Sequence, residues 1–564
     1  MFGHADASRP RATNHAFMDW TLARHPRFAG VRGPVTVVIM DGVGIGAHDA
    51  GDAVFVARTP NLDWLAANAL TTSLAAHGTA VGMPSDADMG NSEVGHNALG
   101  CGRVFDQGAK LVAEAIADGR LFRGPVWQKL AARARESGQP LHFIGLLSDG
   151  NVHSHIEHLF ALIRRCDEEE IAKVRLHLLL DGRDVPERSS LSYVDATEQL
   201  LAQLRAKGRD YRIASGGGRM LVTMDRYGAD WRIVERGWNA HVHGQARHFR
   251  SAREAIETFY GEDPTTNDQW LPAFVVVDDA GPVGPIRDGA GVVLFNFRGD
   301  RGVELSRAFE EETFPFFDRG RRPQVAFAGM MQYDGDLLVP KQFLVSPPAI
   351  DRTLGEYLVH NRARQLAISE TQKFGHVTYF WNGNRSGYID ERHEKYVEIP
   401  SDRLPFQERP WMKAAEITDA LITELDTGAY RHARVNYANG DMVGHTGHFE
   451  ASVVAVEAVD LELGRLLRAT ERLGGALIVT ADHGNADEMF EMDAKTGAPK
   501  RDADGRPLVK TSHSLNRVPF HVYAPGAGLA LSGVRDPGLA HLAATVLQLM
   551  GWRAPDDYAP SLLA

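Results

Sequence analysis

The sequence predicts an α/β protein built on parallel sheets, with a second α/β segment inserted into the first. Three observations carry that expectation. Short apolar, β-branched runs repeatedly end in a polar cluster. Stretches of helical periodicity lie between them, and the candidate arginines occupy a different part of the chain from the acid and histidine pairs.

Val35 to Met40 is the first such run, and it stops at Asp41-Gly42-Val43-Gly44. Leu141 to Leu147 leads into Ser148-Asp149-Gly150-Asn151-Val152-His153, and Val174 to Leu180 into Asp181-Gly182-Arg183-Asp184. Val292 to Phe297 leads into Arg298-Gly299-Asp300-Arg301, Arg434 to Ala438 into Asn439-Gly440-Asp441, and Ala476 to Thr480 into Ala481-Asp482-His483-Gly484. Glu450 to Arg468 places Val453, Val456, Val459, Leu463 and Leu467 on one helical face. Strands alternating with helices imply parallel sheets, whose ligands sit beyond the carboxyl ends of the strands, where every cluster above falls. Gln107-Gly108-Ala109 and Ser346-Pro347-Pro348-Ala349 read as segment boundaries. They delimit 34–107 with 347–564 as one unit, 108–346 as an insertion and 1–33 as an N-terminal extension.

At 564 residues the chain needs more than one core. A net charge of −12 argues against a nucleic-acid or anionic-membrane scaffold, and no apolar run approaches the length of a membrane span. Two cysteines, Cys101 and Cys166, give no disulfide framework, which suits the cytoplasm. The first 33 residues carry five arginines and no apolar core of a secretory signal, so they read as a surface extension, with a transit peptide as the alternative.

Ser92 lies in Asp86-Ala87-Asp88-Met89-Gly90-Asn91-Ser92-Glu93-Val94-Gly95-His96, a stretch rich in glycine and acid. Taken alone it is a turn serine or a helix N-cap, or a nucleophile if a base or metal activates it. Asp441 and His445 stand four apart, Asp482 and His483 are adjacent, and His513 lies in Thr511-Ser512-His513-Ser514. With Asp41 and Ser92 these make seven candidate donors, enough for two ions if water or substrate completes each shell. Carboxylate and imidazole without thiolate favour Mn, Mg, Co or Zn. A substrate with several negative charges needs planar, permanently charged donors, and Arg183, Arg219, Arg226, Arg298 and Arg301 fit that need.

The stretches Asp41-Gly42-Val43-Gly44, Gly90 to His96, Asn436 to Gly447 and Thr480-Ala481-Asp482-His483-Gly484-Asn485, in order from about Val35 to about Tyr523, resemble those of the cofactor-independent phosphoglycerate mutases, within the alkaline phosphatase superfamily. The resemblance implies an alkaline-phosphatase-like parallel-sheet domain with an inserted second α/β domain. It implies one metal on Asp441, His445 and His513 and another on Asp41, Ser92, Asp482 and His483, with Mn the expected ion, Mg or Co as alternatives, and no organic cofactor. It further implies that Arg298, Arg301 and His153 grip the phosphoryl group and that Arg219 and Arg226 hold the carboxylate of glycerate. Arg183 and Asp184 would contact its hydroxyls, Asp184 would shuttle a proton, and Lys373 would stand beside Ser92 and the metals. Ser215-Gly216-Gly217-Gly218-Arg219 with Thr223-Met224-Asp225-Arg226 looks like the longer-chain branch of that family, although its glycines also read as a flexible turn.

The activity implied is isomerisation of 3-phosphoglycerate and 2-phosphoglycerate through a phosphoserine, by a cytoplasmic monomer whose only partner is its substrate, with no nucleic acid or membrane. A metal-dependent phosphatase or another phosphomutase is the competing reading. It gives no use to Arg183, Asp184, Arg219 and Arg226. Hinge motion is expected at the two boundary stretches.

Overall fold

The computed structural model describes residues 20–564 apart from 227, 335–336, 349, 494–495 and 503. Residues 1–19 of the predicted extension, and Ala349 of the second boundary, fall outside the described residues. Residues 20–33 run along the protein: Val31 N–H donates to the Leu549 carbonyl at 2.9 Å and Gly33 N–H to that of Gly474 at 2.8 Å.

The strands, in chain order, are β1 (Val35–Met40), β2 (Leu70–Leu74), β3 (Leu141–Leu147), β4 (Lys173–Leu180), β5 (Asp210–Gly218), β6 (Arg247–Phe249), β7 (Phe274–Asp278) and β8 (Gly281–Pro282). There follow β9 (Gly291–Leu294), β10 (Ala326–Gly329), β11 (Gln365–Glu370), β12 (Glu394–Ile399), β13 (His432–Tyr437), β14 (Ala476–Thr480) and β15 (Val518–Tyr523). They form two sheets, one ordered β12-β11-β13-β1-β14-β15-β2 and the other β10-β9-β3-β4-β5-β7-β6 with β8 on β7.

In the first sheet β1 lies between β13 and β14, both parallel to it, with Val35 opposite His432 and Ala476. All six residues of β1 are buried, which explains why this strand reads as an unbroken apolar run instead of an alternating one. The register brings Asp41, Asn439–Asp441 and Ala481–His483 to one edge of the sheet. β11, on the far side of β13, delivers Lys373 to the same edge. In the second sheet the parallel neighbours β9, β3, β4 and β5 end respectively before Arg298, His153, Asp181–Asp184 and Arg219. The topology thus converts clusters scattered through the sequence into two rows at strand ends.

The structure departs from the pattern in four places. β15 runs antiparallel to β14 and to β2, and β7 antiparallel to β5. β9 ends at Leu294 instead of Phe297, and beyond it the Asn296 side chain, in place of a backbone carbonyl, accepts from Leu146 N–H at 2.9 Å. The glycines at 216–218 form the buried end of β5, not a flexible turn. A Cβ on Gly216 would meet the Phe274 ring at 2.6 Å, so the missing side chain is what lets β7 close in. Ser92 lies in the first turn of helix Ser92–Cys101, whose N-cap is Asn91, with its side chain accepting from Glu93 and Val94 N–H. The helix N-cap role considered for Ser92 therefore belongs to its neighbour.

Candidate active site and metal centre

Ser92 Oγ is buried at the centre of the strand-end row. Lys373 Nζ lies 2.6 Å from it, 2.7 Å from Asp41 Oδ1 and 2.8 Å from Asp441 Oδ2, and His483 Nε2 approaches the same Oγ at 2.9 Å. A short helix, Thr371–Gly375, carries Lys373 and passes directly into a π-helical turn, His376–Phe380. Such turns are frequent at functional sites.

Asp441, His445 and His513 form one group. In the neutral rings, His445 Nδ1–H donates to the Thr511 carbonyl at 2.6 Å and His513 Nδ1–H to the Gly90 carbonyl at 2.7 Å. Both Nε2 atoms are then bare acceptors, yet they stand 3.0 Å apart and 2.9 and 3.1 Å from Asp441 Oδ1. Three acceptors crowded together with no proton to share repel one another, and a cation removes that conflict. Burial, and then Arg183, keep the His445 pKa down at about 3, so its ring is neutral as a ligand requires.

Asp41, Asp482, Ser92 and His483 form the second group, with His483 Nε2 3.4 Å from Asp41 Oδ1 and 3.6 Å from Asp482 Oδ2. Burial, then Asp482 and Asp441, push the Asp41 pKa up to about 7 against the pull of Lys373. Burial acts the same way on Asp441, but Lys373 outweighs it and holds that carboxyl well below the usual range. Donor atoms from Asp441, His445 and His513, from Asp41, His96 and Asp482, and from Asp41, Asp441 and His483 each lie within 4.8 Å of one another. The residues fit divalent cations in number, charge and donor type.

The second sheet supplies a facing wall of guanidinium groups. Arg298 reaches Asn91 Oδ1 and Glu93 Oε2, both at 3.4 Å, beside Ser92. Arg226 Nη2 lies 2.8 Å from Asp300 Oδ2, and its Nη1 donates to the Gln372 carbonyl, next to Lys373, at 3.4 Å. Arg219 pairs with Asp184 and, at 2.7 Å, with Asp181, while Arg183 stands 3.9 Å from Asp441. Burial, then Arg226 and Arg219, drive the Arg301 pKa well below its ordinary value, the signature of cations crowded where an anion belongs. His153, buried among the same arginines, is held neutral.

The structure thus brings all the sequence-predicted residues to two apposed rows. It adds three that sequence reasoning left out of the site. His96 Nδ1 stands 3.2 Å from Asp482 Oδ2, Asn436 Nδ2 donates to Asp41 Oδ2 at 2.7 Å, and Asp300 lies between Arg226 and Arg298. His96 and Asn436 lie inside stretches that carry the family resemblance, and Asp300 sits between two candidate arginines. That placement was the available signal.

A family model described as the Metalloenzyme superfamily matches residues 33–554. The chain is 54% identical over 532 residues to a probable 2,3-bisphosphoglycerate-independent phosphoglycerate mutase of Leptospira interrogans, covering 94% of this chain and 97% of the relative. It is 51% identical over 553 residues to the 2,3-bisphosphoglycerate-independent phosphoglycerate mutase of Trypanosoma brucei brucei, covering 97% and 100%. The chain belongs to this mutase family. A crystal structure of Leishmania mexicana phosphoglycerate mutase, obtained at low cobalt concentration, superposes with a TM-score of 0.94 at 51% identity, over 96% of this chain and 99% of that one. The buried acid and imidazole groups described above are thus found within a mutase family of metalloenzymes.

Proposed function

We infer that the chain is a 2,3-bisphosphoglycerate-independent phosphoglycerate mutase: it interconverts 3-phosphoglycerate and 2-phosphoglycerate through a phosphoserine. The observation that carries this is Ser92 Oγ, buried 2.6 Å from Lys373 and flanked by two metal-suited groups, with a wall of arginines opposite. Divalent cations bound there supply Lewis-acid stabilisation of the phosphoryl oxygens and lower the pKa of the serine hydroxyl.

In the reading we propose, Arg298, Arg301 and His153 hold the phosphoryl group while Ser92 Oγ attacks phosphorus in line. Lys373 stabilises the charge that develops on the oxygens. Arg219 and Arg226 keep the glycerate carboxylate in place after the phosphorus–oxygen bond breaks, and Arg183 orients the hydroxyls. Asp184 takes a proton from the hydroxyl that returns to attack and gives one to the hydroxyl that left. Burial raises the Asp184 pKa, but Arg219 and Arg183 outweigh it and hold the carboxyl low. A substrate carboxylate competing for Arg219 loosens that hold and makes Asp184 a better base.

The two sheets, drawn from 35–74 with 365–523 and from 141–329, support a reading of 34–107 with 347–564 as the metal-bearing domain and 108–346 as an inserted substrate domain. Carboxylate and imidazole donors support Mn, with Mg or Co as substitutes, and the cobalt used with the Leishmania relative is in keeping with this. Two unpaired, buried cysteines suit the cytoplasm, the family resemblance supports a monomer, and no helix among the described residues is long and apolar enough to cross a membrane.

The test is product analysis from 3-phosphoglycerate in the absence of 2,3-bisphosphoglycerate. Conversion to 2-phosphoglycerate that stops with chelator and returns with Mn is expected. Release of inorganic phosphate with no isomer formed would favour a phosphatase.

A further inference from the structure

Beneath the arginine wall lies a buried polar relay to which the steps above give no role. His142 Nδ1 stands 2.9 Å from His177 Nε2, and His177 Nδ1 is 2.7 Å from Ser215 Oγ. Ser215 Oγ is 2.7 Å from His241 Nδ1, and His241 Nε2 is 2.9 Å from Thr223 Oγ1. Burial lowers the pKa of all three rings, to about 3 for His142 and His241, so each carries one proton.

With each ring passing one hydrogen bond on, the relay runs either towards His142, ending on a buried Nε2–H with no partner among the described residues, or towards Thr223, leaving the Thr223 O–H without His241 as its acceptor. In both directions it terminates in a hydrogen bond between His241 Nε2 and the Thr223 hydroxyl.

Thr223 is no ordinary terminus. It is a β-branched residue at φ +70°, a conformation such residues rarely adopt and one that persists only where neighbours enforce it. Its N–H donates to the Ile233 carbonyl at 2.8 Å. Helix Trp231–Trp238 makes room for it with Gly237, where a Cβ would fall 2.0 Å from Thr223 Oγ1. The turn so fixed joins Arg219 to Arg226, and its next carbonyl, on Met224, accepts from Arg301 Nη1 at 2.6 Å. One side chain thus governs the segment on which three candidate substrate arginines depend.

We propose that the hydrogen bond between His241 and Thr223 is a positioning contact that clamps the 219–226 turn on glycerate, and so decides whether phosphoserine returns its phosphoryl group to glycerate or loses it to water. This rests on the mutase reading. In the leak, a water oxygen bonds to phosphorus, the bond from phosphorus to Ser92 Oγ breaks, and Oγ regains a proton.

The experiment measures KM, inorganic phosphate released per isomerisation and thermal midpoint in the Mn-loaded full chain. Thr223→Val, which keeps the shape and removes the hydroxyl, should raise both KM and phosphate per isomerisation about tenfold, the effect of one lost hydrogen bond. Thr223→Ser should restore both. Should Thr223→Val fail to fold, His241→Leu and His241→Gln give the same comparison, Gln keeping a side chain that can donate or accept the hydrogen bond. Unchanged KM and phosphate release in the folded Val or Leu variant would overturn the proposal, as would a Ser variant as leaky as Val. A wild-type chain that forms no 2-phosphoglycerate would instead overturn the mutase reading.

Discussion

Lys373 illustrates how a single residue sets the chemistry. Its ammonium is within hydrogen-bonding distance of Ser92 Oγ and of one carboxylate from each metal-suited group, so one charge both offsets acid repulsion and faces the nucleophile. Arg298 has a narrower task. It touches the Asn91 cap, Glu93 and Asp300, and in the proposed mechanism it grips only the phosphoryl group. Arg298→Ala should therefore raise KM for phosphoglycerate by about 10- to 100-fold, the range for losing hydrogen bonds to a charged group. Steady-state kinetics checks this, and unchanged kcat and KM would remove Arg298 from the phosphate clamp. At this scale the metal-suited donors were legible, because unpaired acids and histidines at strand ends have few structural uses. His142 and His177 were not, because a polar residue within a largely apolar run reveals its partner only when the neighbouring strand is known.

At the scale of elements, the adjacency of β13, β1 and β14 does most to build the site. Asp41 lies 400 residues before Asp441, and Asp482 41 residues after it, and parallel pairing in register brings the three side by side. β1 and β14 were legible as short apolar runs, whereas in β13 His432, Arg434 and Asn436 alternate with apolar residues although the whole strand is buried. Strand direction was less so. β15 lies outside the runs read from the sequence, and its antiparallel pairing with β14 and β2 is set by the neighbouring strands, not by its own residues. The glycine-rich end of β5 was ambiguous for a different reason. Glycine weakens strands in isolation, and here close approach by the Phe274 ring compensates, a tertiary cause with no local trace. Helix Ser92–Cys101 also escaped the pattern, since its glycines, Gly95 and Gly100, lower helix propensity. A Cβ on Gly95 would lie 2.7 Å from the Asp482 carbonyl oxygen, so the same residue that obscures the helix lets it bring Ser92 up to the metal-suited groups.

For the molecule as a whole, the two sheets meet through their functional rows. Asn151 donates to Asp88 at 2.8 Å, Arg226 to the Gln372 carbonyl, and Arg183 lies beside Asp441 and Met442. Buried charges facing one another across that boundary are favourable only when the rows close together, which shields a phosphoserine from water. We therefore expect hinge motion about 107–109 and 346–349. Small-angle scattering should show a smaller radius of gyration with substrate and metal than without, and identical profiles would contradict the hinge.

The central claim is that Ser92 carries the phosphoryl group. Its most direct test is mass spectrometry of the Mn-loaded chain quenched in acid during turnover of 3-phosphoglycerate. A phosphoryl group on the peptide containing Ser92, absent from inactive Ser92→Ala, is the predicted result. A Ser92→Ala variant that still converts 3-phosphoglycerate to 2-phosphoglycerate would contradict the account.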